Sequence, residues 1–315
     1  MNTWVNFQNR GVSWKTKPPR RLFLFAACVF VTLSGCGTTP PELPEAHPSA
    51  ALSADADAYF YLSVTENMEL LRDFTESGGS STLGSRYFLE HSNAIYGAVS
   101  KSQGGAGFLI AASGDYSVGL VEFGIGTDDA WMDASVFLAE GEARYYRNMD
   151  TGMEIAIPSP RLILMGSGVA ESLAWLHAGA SSPLGDDICA ALESHRAGFY
   201  LPKAAKTGLP PFIPAGSPLP LQEALLFVDP SAREGLYTAS GELLFADNRN
   251  AAGAAVMLRL AFSGLMTQQG YSLAEIRQNL KLFVEARTIL FSGLPFPREL
   301  ARLVLFSLMM VEENR

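Results

Sequence analysis

Three cysteines and four histidines occur among the 315 residues, few enough for each to be weighed for chemistry. Cys28 and Cys36 lie in, or just after, a short apolar run near the start of the chain. Cys189 stands alone in Asp187-Ile188-Cys189-Ala190-Ala191-Leu192, a helical pattern in which it reads as a small buried hydrophobe. His47, His91, His177 and His195 are far apart, none forms H-E-x-x-H, and Glu193-Ser194-His195 alone makes no metal site. The acid pairs Asp128-Asp129, Asp186-Asp187 and Glu312-Glu313 read as solvated loops or ends. Gly166-Ser167-Gly168 has neither the G-x-S-x-G frame of a nucleophile elbow nor that of a phosphate loop, and predicts a strand-to-helix turn. Tyr59-Phe60-Tyr61, Tyr87-Phe88 and Tyr145-Tyr146 bring rings that pack on a sheet or line a groove or partner surface. No catalytic constellation, metal or cofactor follows, so the expectation is a non-enzymatic protein.

The first 35 residues are organised differently. Arg10, Lys15, Lys17, Arg20 and Arg21 precede twelve uncharged residues, Leu22 to Leu33, with no acid among them. A positive region, a short apolar core and small residues at a cleavage point make a secretory signal. A membrane span needs roughly 20 apolar residues, so this run is too short to be one. Leu33-Ser34-Gly35-Cys36 resembles the lipobox of bacterial lipoproteins. That resemblance implies cleavage before Cys36, acylation of its thiol and a mature chain that begins there. Two acyl chains suffice for stable anchoring, whereas a single one holds only marginally. Gly37 follows the cysteine where an inner-membrane retention signal often places Asp, so the resemblance favours the outer membrane, on its periplasmic face, over the inner.

Removing the five signal charges from 23 Lys and Arg leaves 18 against 32 acids, a net of −14. Such a chain repels nucleic acid and anionic lipid at long range, and nucleic-acid binding is excluded first. With one cysteine left, stability must come from a packed core, which 48% hydrophobic residues can build.

Composition divides the mature chain into parts. Residues 36–57 are rich in Pro, Ala, Ser and acids and predict a lipidated flexible tether, with the fold beginning at Ala58. Residues 58–200 predict a first lobe. It opens with a strand at Ala58–Val64 and a helix through Leu70, Leu71 and Phe74; strands follow near 95–100, 108–112, 144–149, 153–157 and 161–165. An apolar helix is expected from Val118 to Ile125. Residues 201–221 hold six prolines and predict a surface connection that is neither helix nor central strand. Residues 222–315 predict a second lobe: two strands, an apolar helix near 251–266, a helix near 273–280, two more strands, and a final helix begun by Pro295 and Pro297. Arg161–Met165 and Arg287–Phe291 occupy equivalent places, so the fold class is α+β with two similar sheet-plus-helix lobes and a possible internal duplication.

The lipobox, acidic mature chain, α/β alternation and apolar helices together resemble treponemal outer-membrane-associated lipoproteins. That resemblance implies amphipathic helices around a sheet that engage the inner leaflet of the outer membrane, and it assigns no site residues. Within the final helix Leu300, Leu303, Val304, Leu308 and Val311 share one face, while Leu305, Phe306 and Met309 make the other side apolar too. Those three residues are the candidate membrane or partner contact, and Cys36 is the lipid site. The expected function is a lipid-anchored envelope protein that engages the membrane or an envelope protein partner through apolar helical surface. The alternative is a lipoprotein that holds a small apolar or lipid-like ligand between its lobes.

Overall fold

The computed structural model describes residues 46–77, 83–102, 105–139, 141–207, 221–231, 233 and 235–297. Cys36, most of the proline-rich connection, and Leu305, Phe306 and Met309 lie outside the described residues.

The chain enters its core earlier than composition predicts. Pro48–Ala51 forms one 3-10 turn, and Ser49, Ala50, Ala51, Leu52 and Ala56 are buried. The small residues that make this stretch look like a linker are what let it lie close against the sheet.

From there the order is β1 (Ala58–Ser63), α1 (Val64–Ser77), α2 (Leu83–His91), β2 (Ser92–Ser102), β3 (Gly105–Gly114) and α3 (Val118–Gly126). Next come β4 (Trp131–Leu138), β5 (Gly141–Asn148), β6 (Glu154–Ser159), β7 (Leu162–Gly166), α4 (Val169–His177), α5 (Gly185–Glu193) and β8 (Ala197–Leu201). The chain continues through α6 (Ala204–Thr207), β9 (Leu221–Pro230), β10 (Leu236–Phe245), α7 (Asn248–Gln268), α8 (Leu273–Asn279), β11 (Lys281–Glu285) and β12 (Thr288–Pro297). The fold is α+β, as the alternation of patterns predicts.

All twelve strands form one antiparallel sheet in the order β11-β12-β10-β9-β8-β1-β2-β3-β7-β6-β5-β4. The two stretches read as lobes therefore contribute to a single sheet, and they meet where β8 pairs with β9. Register sorts the side chains by face. Tyr59, Tyr61, Tyr96, Tyr145 and Phe227 lie on one side, under the 3-10 turn, α4 and α5. Phe60, Leu62, Ile95, Ile110 and Ile163 lie on the other, under α1 and α2. Leu226, across from Phe199, continues this second face into a cluster drawn from residues 204–294 and covered by α7 and α8.

Two expectations are corrected. Pro295 and Pro297 do not start a helix; they close β12, opposite Thr238 and Leu236 of β10. β11 pairs with β12 only from Thr288 to Ser292, so among the described residues no strand pairs with the outer side of β12 at either proline and no ladder bond is lost there. In the stretch read as neither helix nor strand, Leu201 ends β8 and a one-turn helix, α6, follows with Ala204 buried.

The turn predicted at Gly166-Ser167-Gly168 is present, and α4 begins there without a capping side chain. Gly168 has φ 77°, a left-handed conformation that glycine adopts at no steric cost. The missing cap comes from another strand: buried Glu154 accepts from the Val169 N–H at 2.9 Å and pairs with Arg147 at 2.5 Å. A carboxylate at a helix N-terminus also meets the positive end of the helix dipole.

Leu52 tests where the fold starts. Leu52→Ala removes a fully buried side chain and should cost about 2–5 kcal/mol in denaturant unfolding. A tether residue would show no change.

Candidate functional site

α3 (VGLVEFGIG) carries one charge, Glu122, and of its nine residues only Ile125 is buried. Leu120 and Phe123 are 54% and 65% exposed. Glycine is a poor helix former, and Gly119, Gly124 and Gly126 each face open space. The helix is therefore held chiefly at its ends. Ahead of it, buried Tyr116 bonds Ser92 at 2.8 Å and the Ser117 N–H donates to the Tyr87 hydroxyl at 2.9 Å. Behind it, Thr127 Oγ1 donates to the Gly124 carbonyl at 2.8 Å. The edge strand β4 follows with Phe137 at 85% exposure. Apolar helix surface exposed in this way makes α3 and β4 a candidate surface for contact with lipid or a partner.

A second apolar surface lies on α7. Val256, Met257 and Leu260 are exposed, Leu260 at 71%, with Gly253 and Gly264 at helical spacing on the same side. Between Ala252 and Gly264 the one charge is Arg259, whose Nη2 donates to the Leu282 carbonyl at 3.1 Å. Asp247 caps the helix by accepting from the Asn250 N–H at 2.8 Å. Among the described residues no helix is long and apolar enough to cross a membrane.

The structure gathers residues that sequence spacing keeps apart. His47 Nε2 lies 2.8 Å from Glu193 Oε1, and the Tyr96 hydroxyl donates to the same oxygen. His47 Nδ1 lies 2.6 Å from Ser49 Oγ, which is 3.4 Å from the Cys189 sulfur; Ser182 Oγ lies 3.5 Å from that sulfur. Cys189 is buried, as expected of a small hydrophobe, yet it sits in a polar setting. Burial pushes the thiol up, but the His47, Ser49 and Ser182 contacts outweigh it and the net direction is down. Cys189 and Glu193 stand four apart on α5, a spacing visible in sequence; His47, 146 positions from Glu193, gives no such signal.

The other candidates are ordinary. His195 pairs with Asp229 at 2.6 Å and stacks on Phe227, and His91 bonds the Asp115 carbonyl at 3.0 Å. Tyr59, Tyr61, Tyr145 and Tyr146 are buried against the sheet. Among the described residues no group of three His, Cys, Asp or Glu is placed to hold a metal ion.

The His47 contact predicts a pH dependence. The Cys189 sulfur, and after it Glu193, raises the imidazole above 6.5 against the burial that lowers it. A raised folded-state value means the contribution is complete below the ordinary value and fades as pH climbs through the folded one. The gap in melting temperature between the wild type and Glu193→Gln should therefore be widest near pH 6 and narrow toward pH 8. A gap that grows with pH would reverse the assignment.

Comparison with known proteins follows the geometry. The model of the family described as outer membrane-associated lipoprotein TP0453 matches residues 47–289. Crystal form III of TP0453 aligns with a TM-score of 0.58 at 17% identity, covering 84% of this chain and 99% of that one. Crystal form I gives 0.57 at 18% identity, with 84% and 98% covered. At such identity the likeness to these structures is one of fold. Among curated proteins nothing matches. With its family match running from the buried 3-10 turn into β12, the chain belongs to the TP0453 outer membrane-associated lipoprotein family.

Proposed function

We propose that the protein is a non-enzymatic lipoprotein, anchored through acylated Cys36, that seats apolar helical surface on the lipid interface of the outer membrane. The observation that carries this is α3, a helix apolar almost all round with one buried residue. Family membership supports the location. Ten residues lie between Cys36 and His47, a covalent reach of at most ~40 Å, so an anchor there keeps the folded part beside the bilayer. The net charge of −14 on residues 36–315 disfavours anionic lipid, which directs the reading to neutral or zwitterionic surface.

The non-enzymatic part rests on Cys189. A thiol, an imidazole and a carboxylate converge, but the thiol is buried and bonded to Ser49 of the 3-10 turn, as a packed side chain would be. The reading also keeps the division at the proline-rich connection. Residues 58–200 then carry the α3 surface and residues 222–315 the α7 surface.

Two measurements test it. Cys36→Ala should abolish fatty-acid labelling and leave an unprocessed precursor; full labelling would remove the anchor. Flotation of the non-lipidated mature domain with phosphatidylcholine liposomes should fall severalfold for Leu120→Glu with Phe137→Glu, at an unchanged melting temperature. Val256→Glu with Leu260→Glu asks the same of α7. If neither pair reduces flotation, lipid contact through these helices is wrong and a protein partner takes its place.

A further inference from the structure

Beside α3 lies an open groove of about 410 Å³. α3 contributes Gly119, Glu122, Phe123 and Gly126, which recur every three or four residues and so share one helix face. The opposite wall is the β4–β5 hairpin. Asp133 pairs with Tyr146 and Ser135 with Arg144, so Trp131, Asp133, Arg144 and Tyr146 all project from the same side of the sheet. A Cβ at Gly119 or Gly126 would meet nothing within 4 Å, so the helix wall leaves room for a guest.

The chemistry of the lining is mixed in a particular way. Trp131 and Phe123 supply aromatic faces. Glu122 and Asp133 outnumber Arg144 by one charge, which favours a cation over an anion. Arg144 already lies over the Tyr146 ring, its carbon 5.5 Å from the centroid. Its Nε donates to Asp133 Oδ1 at 2.8 Å and its Nη2 is bound to the same carboxylate, while the side chain stays more than half exposed. The guanidinium edge not held by Asp133 remains available to an acceptor. Burial, with Glu122 next in weight, raises the Tyr146 phenol, so its hydroxyl stays neutral beside these charges.

We propose that this groove binds a trimethylammonium–phosphate zwitterion, the chemistry of a choline phospholipid headgroup. Trimethylammonium has no N–H to donate, so it is held by aromatic faces and a nearby carboxylate rather than by directed hydrogen bonds. Trp131, Phe123 and Glu122 meet that need, and Arg144 meets the phosphate. A free anion is opposed by the two carboxylates, and a bare cation leaves Arg144 unused. The inference rests on the reading that α3 sits at a lipid interface: a helix that places Leu120 among acyl chains brings the adjoining groove, with Phe123 in its wall, to headgroup depth.

The mature domain with Trp175→Phe keeps Trp131 as its one tryptophan and reports on the groove by fluorescence. Phosphocholine should shift that signal saturably, while inorganic phosphate should not and tetramethylammonium should bind about tenfold more weakly. Glu122→Gln, at a partly exposed position, should weaken phosphocholine about tenfold, the scale of one lost cation contact. Trp131→Phe, followed by calorimetry, should retain binding. On vesicles, phosphatidylcholine should be preferred to phosphatidylglycerol, and soluble phosphocholine should compete. Equal binding of tetramethylammonium would overturn the zwitterion, and saturable binding of the soluble compound without vesicle preference would overturn the lipid source. If phosphocholine produces no shift while flotation still depends on Leu120 and Phe137, the groove assignment fails and the membrane reading stands.

Discussion

The whole sheet depends on β8, five residues that hydrogen-bond to β1 on one side and β9 on the other. Tyr59 faces Tyr200 and Tyr200 faces Leu225; Phe60 faces Phe199 and Phe199 faces Leu226. Because neighbouring residues on a strand point to opposite faces, a slip of one position at β8 would exchange the two cores beyond it. Gly198 is a further constraint at this joint. A Cβ there would stand 2.4 Å from Leu192 Cδ2, so glycine is what allows α5 to close over the seam.

That register also explains an asymmetry. Strands β1 to β7 take helices on one face or the other along their length, whereas β9, β10, β11 and β12 take α6, α7 and α8 on a single face. On the opposite face the row Leu225, Glu242, Leu290 and Phe283 carries one charge among apolar residues. Among the described residues Glu242 is exposed on this face. Antiparallel sheets tolerate one solvated face, and Glu242 and Glu285 suit it to water.

Much of the fold was legible in the chain. Period-2 alternation found β1, β5, β6, β7, β9 and β10, and apolar runs found α3 and α7, because each signal is local. β4 and β8 escaped it. β4 (WMDASVFL) is an edge strand whose one side mixes Trp131 and Phe137 with Asp133 and Ser135, and β8 is five residues long, so neither stands out from flanking loop. The tether boundary erred because small residues suit both a solvated linker and a tight contact; only the sheet they meet decides between these. The groove beside α3 could not be read at all. Its floor is set by the pairing of Asp133 with Tyr146, a contact across a hairpin that no spacing rule announces. The apolar character of α3 itself was plain, but whether Val118 to Ile125 would be core or surface depends on what lies above the helix.

α3 is the element whose stability is least self-explained, and that bears on its use. Nine residues are too few for an isolated helix in water, and three glycines lower the propensity further. Burial contributes one residue, Ile125, and the Ser117 side chain provides no cap. What remains are the bonds at its two ends and the half-buried Val121 that joins the cluster beneath α1 and α2. Local stability of this sort lies near the low end of the range found within one protein. An apolar surface over the helix would supply the burial that the fold withholds, removing Leu120 from water while leaving the Glu122 and Phe123 face toward the groove. The same geometry that makes α3 weak in solution thus makes it gain most from an interface.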